Sequence, residues 1–240
     1  MGVILSEEVV MPVITINGPI GSGPIEVGHM VAQQLNLNYV DRMVFAEAAK
    51  LVGSPVGALI EKEQKVVRFR ERLGRFLQTM LERSATSGVS SEPYFGRGIE
   101  MLPAETYAEL AGDPASSTQS VNDKAFIEAT TAVVRDLARA GDVVIIGRGA
   151  NMILADYPGI IHVGMLAPLE LRVDNIMRRE HFTREEAQKY VEEVEQARGA
   201  FFRKFFKVNP NDPSLYNIML NMGMMQPKTA AEIIACAAQR

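Results

Sequence analysis

Tryptophan is absent from this 240-residue chain and cysteine occurs once, at Cys236. A lone thiol excludes internal disulfides and a cysteine-rich zinc site, and it fits a reducing compartment. Histidine is scarce as well: His29, His162 and His181 fall on different predicted elements without ligand spacing, so protein ligands alone indicate no metal site. No apolar run approaches the about 18 residues a membrane span needs, so no membrane partner is expected. A basic surplus is also missing. Lys and Arg number 25 against 29 Asp and Glu, a formal charge of −4, which argues against a dedicated nucleic-acid partner. Glu7 and Glu8 stand where a signal peptide would carry Lys or Arg, so a cytoplasmic location is expected. Met1–Ser6 matches the N-myristoylation pattern, but a glycine and a serine suffice for that. Residues 1–11 are read as a short N-terminal arm.

What is present is ordinary globular composition, 47% apolar and 22% charged, which rules out a largely disordered chain. Residues 12–240 read as a single domain. Val13-Ile14-Thr15-Ile16 is a β-branched strand ending at Asn17-Gly18, and Val27, Met30, Val31 and Leu35 then recur at helical spacing. A second strand is predicted over 37–40 and a helix over 42–52. Ser54-Pro55 starts a long amphipathic helix whose stripe runs from Val66 to Leu81, a surface suited to a homodimer. Residues 84–122 lose periodicity, and 54–122 read as a helical and loop insert. Asp123 is expected to cap a helix reaching Ala140. Val143-Val144-Ile145-Ile146 is apolar on both faces, as a central parallel strand should be. Strands are predicted at 160–163 and, edge-like, at 217–220. Helices are predicted from Pro168 to about 179, from Thr183 with Glu186 as a capping box to Lys207, and from Pro227 to Ala238.

Five strands separated by helices imply a parallel sheet covered on both faces, with ligands beyond the C-terminal strand ends. Three loops occupy those ends: Asn17–Pro24, Asp41–Arg42 and Gly147–Asn151. Gly18 and Gly23 have the spacing of a Walker A loop, whose backbone N–H groups wrap a phosphate at a helix N-terminus. The motif's lysine is here Pro24 and its hydroxyl residue is Ile25.

The run Ile16-Asn17-Gly18-Pro19-Ile20-Gly21-Ser22-Gly23 resembles the phosphate loop of bacterial cytidylate kinases. Tyr39-Val40-Asp41-Arg42, the segment from Val143 to Leu154, Ala167–Val173 and Asp212–Asn217 are similar to the cytidylate kinase-like branch of that superfamily. The resemblance implies an α/β fold, a P-loop NTPase and nucleoside-monophosphate-kinase-like three-layer sandwich with a five-stranded parallel sheet. It also implies phosphoryl transfer from ATP to CMP with Mg2+.

Under it Gly18, Gly21, Ser22, Gly23, Asp41, Arg42, Arg148 and Asn151 are candidates for nucleotide and phosphate binding. Arg148 follows a buried strand between two glycines, and its planar fork suits a phosphate; a salt bridge holding its turn is the other reading. Asp41 can contact the acceptor or cap the next helix. The resemblance makes the helix pair within 172–207 a lid, with Arg178, Arg179 and Arg198 as charge clamps; a solvated face is the plain alternative for each. Phe201, Phe202, Phe205 and Phe206, interleaved with Arg203, Lys204 and Lys207, are read as core rather than as a nucleic-acid platform. The donor-base loop is expected near Asn221–Met225.

Three departures bear on turnover. The loop lysine and hydroxyl are absent, and Gly147 stands where many P-loop enzymes carry an acidic residue that orients magnesium. Two functions therefore remain open: a weak ATP-dependent kinase of a nucleoside monophosphate, or a non-catalytic nucleotide- or phosphate-binding protein acting through self-association or partners.

Overall fold

The computed structural model describes residues 12–41 and 117–239. Strands β1 (Val13–Asn17), β2 (Asn38–Val40), β3 (Val143–Ile146), β4 (Ile160–Leu166) and β5 (Ile218–Asn221) form one parallel sheet in the order β2-β3-β1-β4-β5. The helices are α1 (Pro24–Leu35), α2 (Ser117–Ala140), the single turn α3 (Ala150–Ile153), α4 (Leu169–Glu180), α5 (Arg184–Phe206) and α6 (Pro227–Ala238), with a 3-10 turn at Pro213–Leu215. This is the α/β sandwich with a five-stranded parallel sheet that the sequence led us to expect.

The strands are largely apolar because helices cover both faces. Neighbouring residues of a strand point to opposite sides. Ile14, Ile16, Val144, Ile146 and Val163 pack under α1 and α6, against Val27, Val31, Ala230 and Ile234. Val13, Val143 and Ile145 face the other way, against Val133, Val134 and Leu137 of α2 and the Ile153–Leu154 turn. Each such side chain contributes about 1.5–3 kcal/mol on full burial. A third cluster joins α4 to α5 through Val173, Ile176, Ala187, Val191 and Val194, and it takes in Ile20 from the loop after β1.

Local signals place most boundaries. Thr183 caps α5 with both bonds of the capping box: its hydroxyl accepts from the Glu186 amide, and Glu186 Oε2 accepts from the Thr183 amide at 2.8 Å. β5 lies at the sheet edge. Two expectations are corrected. Asp123 does not cap a helix, because α2 already begins at Ser117 and runs through it; the anchoring of Val133, Val134 and Leu137 lets a helix extend through polar sequence. Phe201 and Phe202 are fully buried, but Phe205 and Phe206 are only partly so, since they lie at the end of α5. The expected helix over 42–52, Arg42 and the Val66–Leu81 stripe lie outside the described residues. Among the described residues, no helix is long and apolar enough to cross a membrane.

Candidate phosphate-binding site

β1 delivers the chain to the sheet's C-terminal edge at Asn17, and the loop Gly18–Gly23 turns it into α1. Gly23 sits at the N-cap with φ 91°, and Pro24 occupies the first helical turn, where a missing N–H breaks no helical bond. The first intrahelical bond runs from Val27 N–H to the Gly23 carbonyl at 3.0 Å. The amides of Ile25 and Glu26 therefore have no acceptor within the helix. Glu26, an exposed carboxylate in this same turn, opposes an incoming anion.

The loop is pinned from three sides. Ser22 donates its hydroxyl to the Pro19 carbonyl at 2.7 Å, so that oxygen is committed to the loop itself. Ile20 is buried between α4 and α5. Gly21, at φ 80°, lies against α4 so closely that a Cβ would stand 2.6 Å from the Arg172 carbonyl oxygen and 2.9 Å from its Cα. No other residue fits there without moving the helix.

The second loop follows β3. The Gly147 amide bonds the Ile16 carbonyl at 2.9 Å, which carries the β1–β3 register one step further and starts both loops at one edge of neighbouring strands. Gly147, Arg148 and Gly149 are all left-handed, with φ of 70°, 58° and 68°. For Arg148 that conformation is strained, and such strain concentrates at functional turns. Asn151, one turn on, is buried at 2% exposure and borders the Tyr216 hydroxyl.

Behind the loop lies a buried polar cluster. Asn17 donates to the Tyr216 hydroxyl at 3.0 Å, and that hydroxyl donates to the Pro210 carbonyl at 2.6 Å. The ring crosses β4 at Gly164, where a Cβ would meet its Cδ2 at 2.9 Å. Burial raises the Tyr216 pKa above its ordinary value, opposed by neighbouring Arg198, Asn17 and Asn151. Arg198, only 5% exposed, grips Glu195 with Nε and Nη2 at 3.0 and 2.9 Å and also bonds Asn211. Arg172 stands close enough to feel both Glu195 and Arg198, and burial lowers its pKa. Its Nε and Nη1, and Nη1 of Arg198, are buried without a hydrogen-bond partner among the described residues.

The expected site residues thus fall into groups. Gly18, Gly21, Ser22 and Gly23 form the loop, and Arg148 and Asn151 the turn beside it. Asp41 is buried at the end of β2 near His29, which stacks on Tyr39 at 3.7 Å; burial lowers the His29 pKa and Asp41 opposes this. Arg178 is exposed and bonds Asn175 at 2.5 Å, while Arg179 pairs with Glu180 at 2.7 Å. Arg198 is not on a solvated face but inside the cluster. Met224, in the expected donor-base loop, is 82% exposed, whereas Met222 is buried. Arg172, Asn17, Asn175 and Tyr216 escaped sequence reasoning. The available signals were position and motif: Asn17 ends β1, Arg172 lies in the first turns of the helix after β4, and both, with Tyr216, fall in segments that carry the resemblance.

The sequence profile of the cytidylate kinase-like family matches residues 13–224. This chain belongs to the cytidylate kinase-like family. It is 29% identical over 111 residues to a cytidylate kinase of Methanopyrus kandleri, covering 43% of this chain and 58% of that one. A cytidylate kinase of Ignicoccus hospitalis is likewise 29% identical over 102 residues, covering 42% and 59%. The chain thus spans somewhat under three-fifths of the length of the curated relatives it matches. An uncharacterized protein from Eubacterium ventriosum shares the fold, with a TM-score of 0.54 at 14% identity over 95% of this chain and 98% of that one.

Proposed function

We propose that the chain is a cytidylate kinase-like phosphotransferase that holds nucleotide phosphates at the Gly18–Gly23 loop and moves a phosphoryl group from ATP to CMP, or a related nucleoside monophosphate, slowly. One observation carries this reading: the glycine loop opens α1 with first-turn N–H groups that no carbonyl of the helix accepts, beside the left-handed Arg148 turn after the neighbouring strand. Binding of this kind uses backbone groups, which the loss of two side chains leaves in place. Turnover needs aimed positive charge as the phosphoryl group moves, and losing one such donor costs on the order of 100-fold or more.

Magnesium does not fit the described residues. The hydroxyl position is Ile25, Ser22 is committed to Pro19, Gly147 has no side chain, and among the described residues no three His, Cys, Asp or Glu gather.

Pro24 and Ile25 also favour a second reading, a nucleotide- or phosphate-binding protein without turnover. Calorimetry with ATP and with CMP, alongside CDP formation from the pair, separates the two. Binding that Arg148→Ala weakens, with slow CDP formation, is the expected result. Binding without any CDP leaves the second reading. Fast turnover overturns the claim of slow transfer, and absence of nucleotide binding overturns both.

A further inference from the structure

We propose that Phe206, the last residue of α5, is a positioning residue for the nucleotide: its ring fixes the Gly147–Gly149 turn that carries Arg148. The inference rests on the reading above, in which the nucleotide's phosphates lie at the Gly18–Gly23 loop beside that turn.

Three consecutive left-handed residues do not hold themselves. Gly147 and Gly149 adopt φ of 70° and 68° freely, but Arg148 at 58° takes a conformation that side chains disfavour and that persists only where the surroundings impose it. Local bonds supply part of the constraint. The Gly147 amide is tied to Ile16 at 2.9 Å and its carbonyl accepts from Ala150 at 3.0 Å. The Gly149 carbonyl accepts from Met152 and Ile153, both at 2.9 Å. All of these are backbone bonds of the turn and its neighbouring strand. A further hold comes from the far end of α5.

A Cβ on Gly149 would stand 2.5 Å from Cε2 and 2.7 Å from Cζ of Phe206, so the ring edge lies directly on the glycine backbone. The ring is itself held. Phe201 and Phe202, both fully buried, meet it at centroid distances of 5.9 and 5.5 Å. It also packs on the cluster that includes Ala150, Ile153 and Leu154. Lys207 follows at φ 61° and ends the helix. The ring therefore rests on core aromatics and presses on the one residue type that admits it.

This placement does more than fill space. α4 meets the first loop at Gly21, where a Cβ would clash with the Arg172 backbone, and α5 meets the second at Gly149. The two helices pack together through Val173, Ile176, Val191 and Val194. One helix pair thus sets the position of both loops, and Phe206 is its contact with the turn bearing Arg148. Loss of the ring frees Gly149 and, through it, the direction in which Arg148 leaves the backbone.

The test is a double-mutant cycle on ATP affinity, measured by calorimetry on the full chain well below its melting temperature. Phe206→Ala should weaken ATP by about 2- to 10-fold, the range of coupling between touching residues, and Phe206→Leu by less. In an Arg148→Ala background Phe206→Ala should cost nothing further, because the group it positions is gone. Phe205→Ala is the control: its ring packs on Phe201 at 4.9 Å, so its loss should lower the melting temperature and leave ATP affinity unchanged. If Phe206→Ala does not fold, Phe206→Leu carries the same cycle. Additive losses in Phe206→Ala and Arg148→Ala, or an equal loss of affinity in Phe205→Ala, assign the ring to general packing and overturn the proposal. If Arg148→Ala weakens ATP and both Phe206 variants bind as the wild type does, only this inference falls. If the wild type binds neither ATP nor CMP, or Arg148→Ala changes nothing, the reading of the loop and turn falls.

Discussion

Asn175 of α4 donates its Nδ2 proton to the carbonyl of Gly21 at 2.8 Å. Its Oδ1 accepts from Arg178 at 2.5 Å, so one amide joins the loop to the far end of the helix. With Ile20 buried in the α4–α5 core, the helix pair and the loop are mechanically one unit. Drawing the Gly21 carbonyl toward α4 keeps that acceptor from the face an anion would use. Any movement of this helix pair must carry the loop with it or break the Asn175 bond.

Asn175→Ala should therefore loosen the loop and weaken ATP binding up to about 10-fold, the worth of one net hydrogen bond, with little change in melting temperature. Asn175→Asp should weaken it further, because an acceptor would then confront the Gly21 carbonyl. Calorimetric titration of ATP measures both. Wild-type affinity in both variants would show that the bond positions nothing.

Tyr216→Phe keeps the ring that lies over Gly164 but removes the hydroxyl. It leaves the buried Asn17 amide without its acceptor and the Pro210 carbonyl without its donor. The expected loss is about 1–3 kcal/mol, read as a lower urea midpoint with an unchanged slope. An unchanged midpoint would mean that water replaces the phenol at no cost.

Stability should depend on pH through His162. The ring is buried between Thr15, whose Oγ1 lies 2.8 Å from Nδ1, and the Leu154 backbone, and burial lowers its pKa below the ordinary 6.5. A depressed histidine folds neutral. Its stabilisation is complete above the unfolded pKa and is lost as the pH falls below about 6.5, at a slope of up to about 1.4 kcal/mol per pH unit per group. His29, also lowered by burial, acts in the same sense. Urea denaturation between pH 7.5 and 5 should show the decline in the wild type and a shallower one in His162→Gln. Equal slopes would assign the decline to His29 or to other groups.

Strands and caps were legible because their signals are local. The β-branched run Val143–Ile146 is apolar on both faces wherever it is put, and Thr183 with Glu186 needs no partner outside its own turn. The buried cluster was not legible, because it depends on how distant elements cross. Under the resemblance Arg198 reads as a lid cation, yet Glu195 and the segment around Asn211 enclose it. Arg172 and Asn175 gain meaning only when α4 lands on Gly21, and Tyr216 only when Gly164 leaves room on β4. The start of α2 was misjudged for the converse reason: its first turns are polar, and the apolar anchors lie later in the helix.

The last prediction concerns what the loop lacks. Pro24→Lys with Ile25→Thr restores the charge and the hydroxyl of a Walker A motif at the start of α1. Pro24 sits at the first helical position, where lysine is tolerated, and Ile25 is only partly buried, so the exchange should leave the fold intact. If the proposed transfer is limited by missing charge, CDP formation from ATP and CMP should rise by on the order of 100-fold, the scale of one aimed donor in a transition state. Glu26→Gln, which removes the carboxylate from the same turn, should tighten ATP binding several-fold on the scale of a helix-terminus charge, about 0.3–1 kcal/mol, without restoring turnover. The two effects separate binding from catalysis. Tighter ATP binding in the double variant with no gain in CDP would mean that the remaining groups do not align an acceptor, and the chain would then be a nucleotide-binding protein rather than a slow kinase.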